Sequence, residues 1–196
     1  TNILLERGWA PYQVLTEALV EGMRIVGEDF RDGILFVPEV LLAANAMKAG
    51  MFILKPLLAE TGAPRMGKMV IGTVKGDIHD IGKNLVDIVV SNNGYRVVNL
   101  GIKVPAERIL EAAKEHKADA IGMSGLLVKS TLIMRDNLEE LNQRGLKDIP
   151  VLLGGAALTR TYVERDLREV YEGRLFYGKD AFEGLRVMDR LGEIRL

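Results

Sequence analysis

Two rhythms of apolar residues divide the chain. Over residues 1–64 the spacing is helical. Between Tyr12 and Phe30, apolar side chains recur at Val14, Ala18, Leu19, Met23, Ile25 and Val26, mostly three or four apart. Asp32-Gly33 interrupts the pattern and Phe36-Val37-Pro38-Glu39-Val40 restarts it, with Pro38 placed where a first helical turn tolerates a missing N–H. The second helix runs through Leu41, Ala44, Met47 and Met51 toward Leu58, and Thr61-Gly62-Ala63-Pro64 reads as a linker. The spacing predicts a small helical bundle over residues 1–64, with Met23, Met47 and Met51 filling its core rather than holding a metal.

After Gly67 short apolar runs alternate with amphipathic stretches. Strands are expected at Met69–Val74, Arg96–Leu100, Ala120–Met123, Pro150–Leu153 and Leu175–Tyr177. Helices should start near Ile81, Pro105, Thr131, Thr159 and Asp180. Five such βα units over residues 65–196 predict a parallel sheet with helices on both faces. Runs such as Met69-Val70-Ile71 and Val151-Leu152-Leu153 suit strands covered on both sides. Ligands of such sheets bind beyond the carboxyl ends of the strands, so the loops after the first, third and fourth strands carry the interest.

Composition narrows the chemistry. The 196 residues are 48% hydrophobic, enough for a substantial core, and carry a net charge of −1. Nucleic acid is therefore not an expected partner, since it would call for a basic surplus. No uninterrupted apolar run reaches the ~20 residues of a membrane span, so no membrane partner is expected either. There are no cysteines, which removes disulfides, thiol nucleophiles and cysteine-bound zinc and fits a reducing, cytoplasmic setting. With only two histidines, His79 and His116, a multi-histidine metal site is impossible, and His116, among charges at a helix end, should be exposed. The N-terminus lacks Met and a signal pattern, so a piece of a longer protein is expected.

The first loop, Gly76-Asp77-Ile78-His79-Asp80-Ile81-Gly82-Lys83-Asn84, puts a histidine between two carboxylates. A lone histidine is most often core or surface filler. At the working edge of a sheet, two residues after Asp77, it can instead have its tautomer fixed by that carboxylate, leaving the other nitrogen for a metal or a proton. Gly82 leaves room for a bulky ligand near the backbone. The second loop, Met123 to Ser130, holds Ser124 and the apolar Leu126-Leu127-Val128, suited to a planar apolar group. Ser130 could cap a helix beginning at Thr131. Gly154-Gly155 permits close approach or makes an ordinary tight turn.

Several chemistries are excluded by these loops. The first has neither P-loop spacing nor a dinucleotide fingerprint, and Asn84 replaces the required Ser/Thr. Gly122-Met123-Ser124-Gly125 is not a nucleophile elbow. A receiver domain would end its third strand with aspartate, and a flavodoxin would have a Thr/Ser-rich first loop. A large, mostly apolar ligand needing one imidazole remains.

Asp77-x-His79-x-x-Gly82, then Ser124-x-Leu126, then Gly154-Gly155 resembles the signature of modules that bind cobalamin base-off, histidine-on. The helices with Asp29-Phe30, Phe36 to Val40 and Ala46-Met47-Lys48 resemble the cap preceding such modules, and Phe176 to Leu185 resembles their tail in the cobalamin-dependent methionine synthase family. The resemblance implies an α/β, Rossmann-like (flavodoxin-like) five-stranded parallel sheet, strand order 2-1-3-4-5, preceded by a helical-bundle cap. It implies His79 as the lower axial ligand of cobalt, Asp77 as its hydrogen-bond acceptor and Ser130 as the next member of the relay. Gly76, Ile78 and Asp80 complete the loop around them. Ser124, Leu126, Val128, Gly154, Gly155, Tyr177 and Ala181 would line a slot for the displaced nucleotide tail, and Phe30, Val37 and Val40 would cover the upper face. Val128 stands where a threonine is common, and Val37 where a leucine is.

The implied role is to carry a methyl group on cobalamin, as methylcobalamin, between methyltetrahydrofolate and homocysteine, with proton uptake at the triad linked to the cobalt's oxidation state. Implied partners are the folate, homocysteine and reactivation modules of the same enzyme. No zinc is expected in this part, and turnover alone is not expected. A stand-alone corrinoid carrier of a methanol or methylamine methyltransferase system is the alternative, and a cobalamin-dependent regulator a third.

Overall fold

A computed structural model describes residues 1–60 and 67–193; the expected linker Thr61–Pro64 and the domain boundary after residue 64 lie outside the described residues. The chain forms two compact units, one of N-terminal helices and one of alternating strands and helices.

In the first unit a five-residue helix, Asn2–Glu6, buries nothing, which is why the apolar rhythm does not announce it. Residues 11–31 are continuously helical, with a π-helical segment, Val14–Val20, inside the stretch. Val14, Leu15 and Met23 are buried. Asp32 and Gly33 end the helix, Gly33 with φ +75°. The helix Val37–Glu60 follows; the Glu39 carboxylate reaches back to accept the Phe36 N–H at 2.9 Å, half of a capping box. Val40, Ala44, Met47 and Leu54 are buried along it, whereas Leu42 and Phe52 are exposed. Its Val37–Leu54 window has a mean hydropathy of 1.4, so one described helix is long and apolar enough to cross a membrane by length and composition. A search for unbroken apolar runs passes over it because Glu39, Asn45 and Lys48 interrupt it.

The second unit is a five-stranded parallel sheet, ordered β2-β1-β3-β4-β5: β1 Lys68–Thr73, β2 Arg96–Asn99, β3 Ala120–Ser124, β4 Val151–Gly154 and β5 Leu175–Gly178. The Rossmann-like expectation and its strand order are both met. The central strands are buried on both faces because helices cover both. On one side Val70, Ile121, Met123, Val151 and Leu153 pack with residues of the helices Ala106–His116 and Val128–Gln143, and with Val163 and Leu167. On the other side Leu152 faces Gly184, which also touches Val86, joining the helices Ile81–Asn92 and Ala181–Glu193.

Register places the working edge. Thr73 pairs with Ser124, Ser124 with Gly154 and Gly154 with Gly178, so four strands end in one row. The strand order reverses at β1, between β2 and β3, and the loops after β1 and β3 flank that switch point.

Two readings need correction. The helix after β3 starts at Val128, three residues before the expected Thr131, so Ser130 lies in its first turn and does not cap it. His116 is half-buried, and its carbonyl accepts a hydrogen bond from Lys68 Nζ at 3.1 Å.

Candidate functional site

The site is built on Asp77. After β1, Val74 makes a single bridge to Val104, and Gly76 turns the chain at φ +78°, a left-handed conformation that glycine adopts without strain. The turn drops Asp77 into the interior, where its side chain is fully buried. Its Oδ1 accepts the His79 backbone N–H at 3.0 Å and lies 2.7 Å from His79 Nδ1. Its Oδ2 accepts the Ser130 hydroxyl at 2.6 Å and the backbone N–H groups of Leu126 at 2.7 Å and Leu127 at 3.3 Å. One carboxylate thus ties together the loop after β1, the loop after β3 and the first turn of the helix behind it.

Electrostatics fix the roles. Burial alone would push the Asp77 carboxyl up, but the hydrogen bonds from Ser130, His79 and Leu126 outweigh it and hold the pKa well below the usual carboxylate range. An ionised carboxylate only accepts, so the proton of the His79–Asp77 bond sits on Nδ1. His79 Nε2 is left with its lone pair, on an imidazole side chain that is 45% exposed. Thr73, fully buried at the end of β1, donates its hydroxyl to the His79 carbonyl at 3.1 Å, so the histidine is held from both ends.

The loops that hold the imidazole expose apolar side chains, alongside the exposed Lys75 and Lys129. Ile78, Ile81, Leu126, Leu127 and Val128 are exposed, Ile81 and Val128 most of all, at 83% and 78%. Gly82, in the first turn of its helix, has open space where a Cβ would stand. Asp80 is half-buried and accepts Asn84 Nδ2 at 2.9 Å.

The third loop abuts the second. Gly155 has φ +135°, and a Cβ there would lie 1.7 Å from the Gly125 carbonyl oxygen. Gly154 accepts the Gly125 N–H at 3.2 Å. At the sheet's far end Tyr177 is half-buried, with the Arg160 guanidinium 5.3 Å from its ring centre, and Ala181 is buried. Arg160 is also paired with Glu164 and Glu183.

The structure therefore brings together Gly76, Asp77, Ile78, His79, Asp80, Gly82, Leu126, Val128 and Ser130 around one imidazole. Ser124, Gly154 and Tyr177 follow along the strand ends. Phe30, Val37 and Val40 belong to the helical unit, where Phe30 is half-buried, Val37 exposed and Val40 buried. The sequence reading missed Thr73, whose partner is six residues away, and Gly125, whose importance lies in what Gly155 needs. No cluster of three or more acidic, histidine or cysteine side chains able to hold a metal ion occurs among the described residues. A metal here would have one protein donor and bring the rest of its ligands.

A doubly covered parallel sheet with one available imidazole nitrogen beside exposed apolar side chains at its switch point defines an α/β module with its ligand site at the strands' carboxyl ends. Residues 67–186 match the B12 binding domain family, and residues 1–55 match a second family likewise described as a B12 binding domain. The chain belongs to the B12-binding family, and cobalamin is its cofactor.

Among relatives, the methionine synthase of Mycobacterium leprae is 56% identical over an alignment of 187 residues that covers 92% of this chain and 16% of that protein. A novel cobalamin-binding protein from Desulfitobacterium hafniense superposes with a TM-score of 0.81 at 28% identity, over 97% of this chain and 88% of that one. The methanol:cobalamin methyltransferase complex MtaBC from Methanosarcina barkeri gives 0.74 at 30% identity, over 96% and 70%.

The residues fit the cofactor. A corrin is an apolar-faced disc whose ring nitrogens leave cobalt needing an axial donor. His79 Nε2, fixed as a lone-pair donor by an ionised Asp77, is that kind of ligand, and the exposed apolar side chains beside it are that kind of surface.

Proposed function

We propose that this chain is the cobalamin-carrying part of a methionine synthase, which moves a methyl group from methyltetrahydrofolate to homocysteine. The observation that carries the reading is the Ser130–Asp77–His79 relay with its free Nε2, and the 56% identity to a methionine synthase supports it. When bound, the cofactor supplies a cobalt that accepts and gives up a methyl group.

The chain's own residues do the rest. His79 Nε2 would hold the cobalt in place of the cofactor's own base. Asp77 holds its ring and tautomer, and Ser130 anchors Asp77. Ser124, Leu126, Val128, Gly154, Gly155, Tyr177 and Ala181 line the slot for the nucleotide tail. The exposed apolar side chains around the loop would keep water from the cobalt. Phe30 and Val37 of the helical unit would shield the methyl group, whereas Val40, fully buried in that unit's own core, is not available for it. The chain spans 16% of the relative's length, so turnover belongs to a larger assembly with folate, homocysteine and reactivation modules, and zinc lies outside this part. The cysteine-free composition supports a cytoplasmic setting.

His79→Gly tests the ligand assignment. The variant should still retain cobalamin through the tail after desalting, while its visible spectrum loses the histidine-ligated form. An unchanged spectrum refutes the assignment.

The similarity to MtaBC favours a second reading, a corrinoid carrier serving a methanol-type methyltransferase. Supplying the loaded chain in trans to the other modules of a methionine synthase separates the two. Methionine formed from methyltetrahydrofolate and homocysteine supports the first reading, and its absence alongside methyl uptake from methanol supports the second.

A further inference from the structure

Lys83 sits where a lysine is unwelcome. It is the third residue of the helix Ile81–Asn92, at the positive end of the helix dipole, and is only 2% exposed. No carboxylate lies within 4.0 Å of it among the described residues; its ammonium donates to two neutral amides, Asn84 Oδ1 at 2.5 Å and Asn99 Oδ1 at 2.7 Å. Burial pushes its pKa down, against the more distant pull of Asp80 and Asp87. A buried cation without an ion pair costs stability, so something outside the helix must gain from it.

Those two amides close a ring of hydrogen bonds beneath His79. Asn99 Oδ1 also accepts the Gly101 N–H at 3.0 Å, and Gly101's carbonyl accepts the Thr73 N–H at 3.0 Å. Thr73's hydroxyl donates to the His79 carbonyl at 3.1 Å. On the other arm, Asn84 donates its backbone N–H to the Asp80 carbonyl at 2.8 Å and its side-chain amide to Asp80 Oδ2 at 2.9 Å; Asp80 is the residue after His79. Asn99 further binds Asp87 Oδ2 at 2.8 Å. Lys83 bridges the arm through the end of β2 and the arm through the helix with the two shortest bonds between them, beside the longer direct bond from Asn99 Nδ2 to Asn84 Oδ1 at 3.3 Å.

We propose that Lys83 is a positioning residue for His79: by clamping Asn84 to Asn99 it fixes both ends of the segment that presents the imidazole to cobalt. The proposal rests on the reading of His79 as axial ligand. Asp77 sets which nitrogen is free, and the Lys83 ring sets where the backbone beneath it stands. Removing the clamp leaves the tail slot untouched and loosens only ligation.

The 196-residue chain as wild type, Lys83→Met, Asn99→Leu and the double variant is loaded with methylcobalamin, desalted and compared by visible spectrum, with Tm measured in parallel. Both single variants should retain the cofactor, with the equilibrium between histidine-ligated and unligated forms shifted about 10-fold toward the latter, the lower end of what losing a metal-bound histidine's outer partner does. The double variant should match Asn99→Leu, which removes the Lys83 bond together with the direct bonds to Asn84 and Asp87. Without cofactor, amide exchange at His79 should quicken. Asn142→Ala is the control, removing the bonds to Val170 and Glu172 away from the site; it should lower Tm and leave the spectrum as it is. A wild-type spectrum in Lys83→Met, or in Asn99→Leu should that lysine variant not fold, overturns the proposal, as does a double variant whose shift is the product of the singles. A wild type that holds cobalamin without histidine ligation overturns the ligand reading itself, and this proposal with it.

Discussion

Asp77 carries more of the site than the histidine it serves. Five donors converge on a carboxylate with no exposure, and in Asp77→Asn the donors that meet the amide nitrogen lose their acceptor. Asp77→Asn should cost about 3 kcal/mol at neutral pH, read from urea midpoints. Because folding lowers this pKa, the contribution is complete above the unfolded value near ~3.9 and fades as pH falls toward the folded one. The difference between wild type and Asp77→Asn should therefore be constant from pH 7 to about 5 and shrink below about 4. Gly82→Ala separates fold from ligand in another way: with open space at its Cβ the variant should keep or slightly raise Tm, while the proposed seating of cobalamin against that space predicts a fall in its retention. At this level sequence is only partly readable. His79 and Asp77 are two apart and visible as a pair. Ser130 is 53 positions from Asp77, and nothing local ties them; the resemblance supplied the link. Lys83 reads as an ordinary helical lysine until the fold brings Asn99 beneath it.

The strands were legible because covering a parallel sheet on both faces demands unbroken apolar runs, as in Val70-Ile71 and Val151-Leu152-Leu153. Their order followed from the resemblance. The start of the helix Val128–Gln143 was misplaced for a physical reason. Its N-cap, Leu127, makes no side-chain cap, and Asp77, from a different loop, accepts the Leu126 and Leu127 N–H groups. A rule that seeks a local Ser, Thr, Asp or Asn finds Ser130 instead. The contact between the loops after β3 and β4 is a backbone matter. Gly155→Ala should destabilise by more than about 2 kcal/mol in urea, since φ +135° and a Cβ 1.7 Å from the Gly125 oxygen both oppose it. A midpoint equal to wild type would mean that the two loops part easily.

The second unit has a complete core of its own, from Val70 and Ile121 through Met134 and Leu138 to Val163 and Leu167. A fragment of residues 67–193 should unfold cooperatively by circular dichroism and bind cobalamin with histidine ligation. Under light, methylcobalamin on that fragment should decay faster than on the 196-residue chain, and Phe30→Ala in the full chain should move toward the same rate. Equal rates in all three would leave the helical unit with no shielding role. The two-unit division is visible in the change of apolar period near residue 67, whereas the short helix Asn2–Glu6, which buries nothing, left no trace in the pattern.

The saturation of Asp77 has a chemical corollary. With every oxygen lone pair engaged and Nδ1 already carrying hydrogen, the ring offers newcomers a single atom. On the proposed ligand assignment that single atom is the seat cobalt would take, and any competing electrophile would have to displace it.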